Sequence, residues 1–117
     1  MHNFRQLKVW QKSRLLVKEI YIVTKGFPKE ELFGLTSQIR RAVVSIPSNI
    51  AEGCGRNTNK DTKRFVDIGQ GSSFEVETQL ILAFDLGYIS EEKYNLLWKA
   101  TDEVQRMIRG FGNSLKE

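Results

Sequence analysis

Six cations, Arg40, Arg41, Arg56, Lys60, Lys63 and Arg64, gather along one stretch of this sequence, around the join expected between two helices. The chemistry open to such a group is the neutralisation of phosphates. Lys60 and Arg64 stand one helical turn apart with Lys63 beside them, and a helix starting just before them adds backbone N–H donors. No RNA-recognition or zinc pattern accompanies them, so RNA or DNA would be held by its backbone and with little regard to sequence. The competing reading is a solvated face, since lysines near a helix N-terminus oppose its dipole. A second basic set, Arg5, Lys8, Lys12 and Lys18, shows that the charge is not confined to one patch.

Residues for catalysis are sparse. Nucleophile–base chemistry needs a histidine near serine or cysteine, and the lone histidine is His2, expected to lie at a frayed end. Cys54 lies between Gly53 and Gly55 near Arg56, and an inert thiol is the expectation for it. The two glycines follow a helix, not a strand, and lack phosphate-loop spacing. Di-iron bundles use Glu-x-x-His pairs, and none occurs. The expectation is no enzyme, no cofactor and no metal. One polar line remains: Ser72, Glu75 and Gln79 at core spacing, opposite Gln38, Arg41, Ser45, Asn49 and Glu52. Read as buried, Glu75 needs a partner, and Arg41 or Gln38 would supply it.

The chain that must position these residues has 117 of them, enough for one domain (1–117) to close a core unaided. Its 40% hydrophobic and 27% charged residues are ordinary for a soluble globular protein. A net charge of +4 and a pI near 9.3 permit a polyanionic partner without requiring one. A single cysteine rules out an internal disulfide and fits a reducing compartment. The longest apolar run, Leu80 to Phe84, is far short of a membrane span, and no secretory signal opens the chain. A cytoplasmic protein without a membrane partner is expected.

Helical periodicity dominates, and the spacing predicts four helices. The first runs from Phe4 to Lys25, with Leu7, Trp10, Val17, Ile20, Tyr21 and Thr24 on its stripe and Gly26 closing it. The second spans Glu30 to Glu52 on Leu32, Leu35, Ile39, Val43, Ile46 and Ile50. Its phase continues across Pro47, predicting a kink; the alternative is a stop at Ile46 and a fresh start at the proline. Gly53 and Gly55 then admit left-handed backbone cheaply. The third helix starts at the N-cap Thr58, with Asp61 in its first turn, and ends at Leu86 before Gly87. Ser90 caps the fourth, whose stripe is Tyr94, Leu97, Trp98, Thr101, Val104, Ile108, Phe111 and Leu115. Short connections give an all-α, antiparallel up-down-up-down four-helix bundle with a proline-kinked second helix.

The apolar residues exceed what a lone bundle needs. Helix three carries two adjacent lines, Phe65, Ile68, Ser72, Glu75, Gln79, Leu82, Leu86 and Val66, Gly69, Ser73, Val76, Leu80, Ala83. One can face the bundle core and the other a second copy, with flanks around Ile22 and Leu80 covered in a homo-oligomer. A monomer with some exposed Leu and Ile is the plainer alternative.

Several strings carry a resemblance: Leu7-Lys-Val-Trp10, Gln38-Ile-Arg-Arg-Ala42, Ser45-Ile-Pro-Ser-Asn-Ile-Ala-Glu-Gly53, Gly55-Arg56, Phe74-Glu-Val-Glu-Thr-Gln-Leu80 and Leu86-Gly-Tyr88. In this order they resemble the four-helix-bundle family named for proteins encoded in intervening sequences of 23S rRNA genes. The resemblance implies a bundle assembled as a ring of five and implies no enzymatic activity. That family is also similar to accessory proteins of diversity-generating retroelements, basic pentameric barrels that engage nucleic acid and a reverse transcriptase. Two functions follow as expectations: a nucleic-acid-binding homo-oligomer, or a scaffold that binds protein partners through the same surfaces.

Overall fold

The computed structural model describes residues 2–116 and is all-helical among them. A 3-10 turn at Phe4–Gln6 precedes α1 (Lys8–Thr24), and a second at Lys29–Glu31 precedes α2 (Leu35–Cys54). α3 (Asn59–Asp85) and α4 (Glu91–Ser114) complete the bundle. α1 packs on α2 and α4, and α3 packs on the same two, while the backbones of α1 and α3 stay apart across the core. The four helices therefore occupy the corners of a square.

Two helix starts differ from the sequence reading. Leu7 is extended (φ −77°, ψ 126°), which separates the Phe4–Gln6 turn from α1. α2 begins at Leu35 and not at Glu30, because Gly34 leaves the helical region (φ −115°, ψ −116°) and offers no capping side chain. Glu31 supplies the cap instead: its Oε1 accepts the Leu35 N–H at 3.1 Å. Leu32 accordingly falls outside the buried stripe, which is Leu35, Ile39, Val43, Ile46 and Ile50. From Leu35, α2 continues as one element through Pro47 to Cys54. Gly53 lies inside this helix, Gly55 closes it at φ −86°, and the only positive φ among the described residues is at Gly87. The left-handed turn expected at the paired glycines is absent, and Gly26 takes no positive φ either.

The later boundaries follow the sequence. Thr58 Oγ1 accepts the Asp61 N–H at 3.1 Å and Ser90 Oγ the Lys93 N–H at 3.2 Å, so both helices start on their predicted caps. α3 ends at Gly87 (φ +78°), where the Tyr88 N–H reaches the Ala83 carbonyl at 2.9 Å and the Gly87 N–H that of Phe84 at 3.0 Å. Only glycine accepts that backbone without strain.

The core is built on α2 and α3. Val66, Val76, Leu80 and Ala83 are buried with Gly69 and Ser73, so the second line of α3 faces inward as a unit, while Ile68, Leu82 and Leu86 of the first line are exposed. Leu80 is therefore an interior residue of the bundle and not part of an outer flank; Ile22 is exposed as expected. In α1 the buried line is Val9, Ser13, Leu16, Ile20 and Thr24, of which Ile20 and Thr24 belong to the predicted stripe, and Tyr21 is exposed. Ser13 and Thr24 can lie inside because their hydroxyls bond to the Trp10 carbonyl at 2.9 Å and the Ile20 carbonyl at 2.8 Å. In α4, Leu97, Thr101, Val104 and Ile108 are buried, whereas Trp98 turns outward. Each fully buried Ile or Leu in this core contributes about 1.5–3 kcal/mol.

Candidate nucleic-acid interface

The join between α2 and α3 is shaped by a close helix approach. A Cβ on Gly53 would sit 3.0 Å from both Phe65 Cβ and the Thr62 carbonyl, tighter than an ordinary contact, so glycine favours this close meeting of the helices. Thr62 Oγ1 donates to the Gly53 carbonyl at 2.8 Å inside this contact. The linker Gly55–Thr58 is thereby fixed in front of the first turn of α3, where the cations stand.

Four of the six predicted residues are at this end. Arg56 stacks over the Phe65 ring at 4.5 Å and reaches Glu52 at 3.1 Å. Lys63 Nζ lies 2.6 Å from Asp67, and Arg64 Nη1 3.7 Å from Asp61. Lys60 is exposed and has no carboxylate within 4 Å among the described residues. These pairs are solvent-exposed and join neighbours three or four residues apart, a type worth about 0–1 kcal/mol, so a phosphate competes for the cations at little cost. Four cations against Glu52, Asp61 and Asp67 leave one net positive charge at this end of each chain. The field at this end is modest in a single copy.

Arg40 and Arg41 do not join the cluster. Some 20 Å of helix axis separates them from the end of α2, at about 1.5 Å per residue. Arg40 is structural: its Nε donates to Thr24 Oγ1 at 2.9 Å, and its guanidinium lies 4.7 Å from the Tyr21 ring centre, clasping α1 to α2. Arg41 is exposed beside a surface groove. A residue overlooked in the sequence is Lys116, whose carbonyl accepts from Asn59 Nδ2 at 2.8 Å and which therefore stands next to Lys60. The expected up-down-up-down order would bring the end of the fourth helix beside the start of the third, and that expectation is the available signal. Lys12 of the second basic set pairs with Glu103 across α1 and α4 at 3.4 Å.

The groove beside Arg41 runs between α2 and α3, holds about 350 Å³, and is lined by Gln38, Arg41, Ser45, Ser72, Glu75 and Gln79. These are residues of the predicted polar layer, but the layer is not a buried ion pair. Glu75 is exposed and meets neither Arg41 nor Gln38, because the inward register of α3 passes through Ser73 and Val76 and turns residue 75 to the rim. The interior part of the layer is neutral. Ser45 and Ser72 hydroxyls share a 2.8 Å hydrogen bond, and Asn49 Nδ2 donates to Ser45 Oγ at 2.8 Å. Gln79, though buried, leaves its Oε1 without a partner.

His2 is docked and not frayed: its N–H reaches the Cys54 carbonyl at 3.3 Å and its ring packs edge-on against Phe111 at 5.4 Å. Cys54 itself is buried, and burial pushes its thiol above the ordinary range, which favours the unreactive protonated form. Among the described residues no three of His, Cys, Asp and Glu converge as metal ligands, and no helix is long and apolar enough to cross a membrane.

The model of the family described as 23S rRNA-intervening sequence protein matches residues 5–110. Among solved structures, the chain is similar to the crystal structure of a protein of unknown function from the S23 ribosomal protein family of Bacteroides thetaiotaomicron. The TM-score is 0.82 at 24% identity, over 88% of this chain and 96% of that one, a likeness of fold. Comparison with curated proteins finds no match.

Proposed function

This chain belongs to the 23S rRNA-intervening sequence protein family, and from that premise we propose a non-enzymatic, homo-oligomeric helical bundle, five copies in a ring, that binds RNA or DNA through its phosphate backbone. The observation that carries the nucleic-acid reading is the first turn of α3, where Lys60, Lys63 and Arg64 project beside Arg56 with only exposed, local carboxylate partners. One net charge at this end of each chain is weak, but repetition around an axis multiplies the field that phosphates meet. The buried free thiol of Cys54 suits a reducing compartment, and we place the protein in the cytoplasm.

The test is retention of labelled RNA and DNA by the purified protein at rising salt. Retention that weakens steeply with salt, and that disappears when Lys60, Lys63 and Arg64 are replaced by Glu with helicity intact, supports the proposal. A wild-type protein that retains neither nucleic acid overturns it. The second reading, a scaffold for protein partners, is favoured by exposed apolar side chains such as Phe33 at 92% and Leu96 at 62% exposure. A single-chain mass by light scattering at micromolar concentration would remove the oligomer on which both readings depend.

A further inference from the structure

Resting on the oligomeric reading above, we infer that copies join head to tail, the outward ridge of α1 from one copy seating in the α2–α3 groove of the next. The fold separates the two surfaces: with the backbones of α1 and α3 apart and each packed on α2 and α4, the α1–α4 side and the α2–α3 side are opposite faces of the bundle. A surface that meets its counterpart on the far side of the next molecule makes a heterologous contact.

The ridge is Leu15, Lys18, Glu19 and Ile22. Leu15 and Ile22 are 54% and 56% exposed, two turns apart on one line of α1. Lys18 falls on one side of that line and Glu19 on the other. Neither has an ion-pair partner among the described residues.

The groove answers each part. Phe74 and Leu82 on α3 are exposed apolar rims spaced by about 12 Å of helix axis, close to the roughly 10 Å between Leu15 and Ile22. Nothing lies within 4 Å of where a Cβ on Gly71 would be, so the wall one turn before Phe74 is open to a helix. Arg41 stands on the α2 side and Glu75 on the α3 side, both without ion-pair partners among the described residues. Of the two axial directions an entering helix can take, one sets Lys18 against Glu75 and Glu19 against Arg41 together. Gln79 Oε1, buried and unpartnered at the groove, then has a donor within the reach of a lysine. A phosphate backbone fits this groove poorly, because Glu75 repels it and the rims are apolar.

The experiment is light scattering on charge-swapped and face-blocked chains, with circular dichroism and thermal melting to verify folding at these exposed positions. Lys18→Glu and Glu75→Lys should each reduce the mass toward a single chain, and the double variant should regain the wild-type mass. An equimolar mixture of Ile22→Glu, which lacks the ridge, and Leu82→Glu, which lacks the groove, should give a two-chain complex that neither forms alone. Wild-type particles of several chains, with folded variants that keep the wild-type mass or a mixture that does not pair, overturn this interface and leave the oligomer standing. A wild type of single-chain mass overturns both.

Discussion

The Tyr88 hydroxyl donates a 2.8 Å hydrogen bond to Glu31 Oε2, tying the turn after α3 to the turn before α2. The other oxygen of that carboxylate caps α2 through the Leu35 N–H. The backbone bond first, and the Tyr88 bond second, hold the Glu31 carboxyl below its ordinary value of 4.5. The same bond to Glu31 is the main cause that raises the Tyr88 phenol above 10.0. A carboxylate lowered on folding stabilises the native state above its unfolded pKa, and the effect is lost as pH falls through the folded one. A raised phenol stabilises below its unfolded pKa, and that contribution is lost as pH rises through the folded value.

Glu31→Gln should therefore lower the urea midpoint at neutral pH, with the gap to wild type closing as pH falls below 4.5 and through the lower value held by the folded carboxyl. Tyr88→Phe should show a gap that closes on the alkaline side, above pH 10.0. A Glu31→Gln gap that stays constant from neutral pH to strong acid would mean that the carboxylate charge does not hold the cap.

Gly53 and Gly110 should respond oppositely to alanine. At Gly110 nothing lies within 4 Å of the new Cβ, and Gly110→Ala should stabilise by about 0.4–1 kcal/mol. At Gly53 the Cβ meets Phe65 Cβ and the Thr62 carbonyl at 3.0 Å. Overpacking of about 1–3 kcal/mol exceeds the helix-propensity gain of about 1 kcal/mol, so Gly53→Ala should lower the denaturation midpoint. Equal or greater stability of Gly53→Ala would show that α2 and α3 have room to part.

Arg40 and Lys60 separate fold from charge. Arg40→Met should cost about 1–2 kcal/mol through the lost Thr24 bond and Tyr21 stacking, without changing retention of polyanions. Lys60→Glu should leave stability within about 0.5 kcal/mol and weaken retention. The converse pattern would move the binding surface to the middle of α2.

Cys54 should react slowly with a disulfide reagent at pH 8 in the folded chain and rapidly once urea unfolds it, since burial both shields the thiol and raises its pKa. Fast labelling of the native protein would refute the buried placement.

The helix ends that the sequence announced are those made by local chemistry. Thr58, Ser90 and Gly87 act within their own turn, so their roles are written in residue type and spacing. Glu31 was overlooked because it caps α2 from four residues away while held by Tyr88, a partner distant in the chain. Ile20 and Thr24 of the expected α1 stripe are buried, but Val9, Ser13 and Leu16 complete it, and Ser13 tolerates the core because its hydroxyl bonds to its own helix. Spacing alone sets Glu75 inside; of its line only Ser72 and Gln79 are buried, whereas the apolar line through Val66 and Val76 faces inward throughout. Of the cationic site, Arg56 to Arg64 were legible as a cluster. Arg40 was not separable from it, since a helix carries residues adjacent in sequence far from its end.

His2 rests on the Cys54 carbonyl and Asn59 on that of Lys116, so the first and last described residues both abut the loop between α2 and α3. A fluorophore attached at residue 2 or residue 116 would emerge beside Arg56 and Lys60 and crowd incoming polymer. Labels for binding measurements are better placed at the far pole, at the exposed Lys25 or Glu30 between α1 and α2. A peptide joining residue 116 to residue 2, with new ends opened at that same pole, should yield a circularly permuted bundle whose cationic tip is left unencumbered.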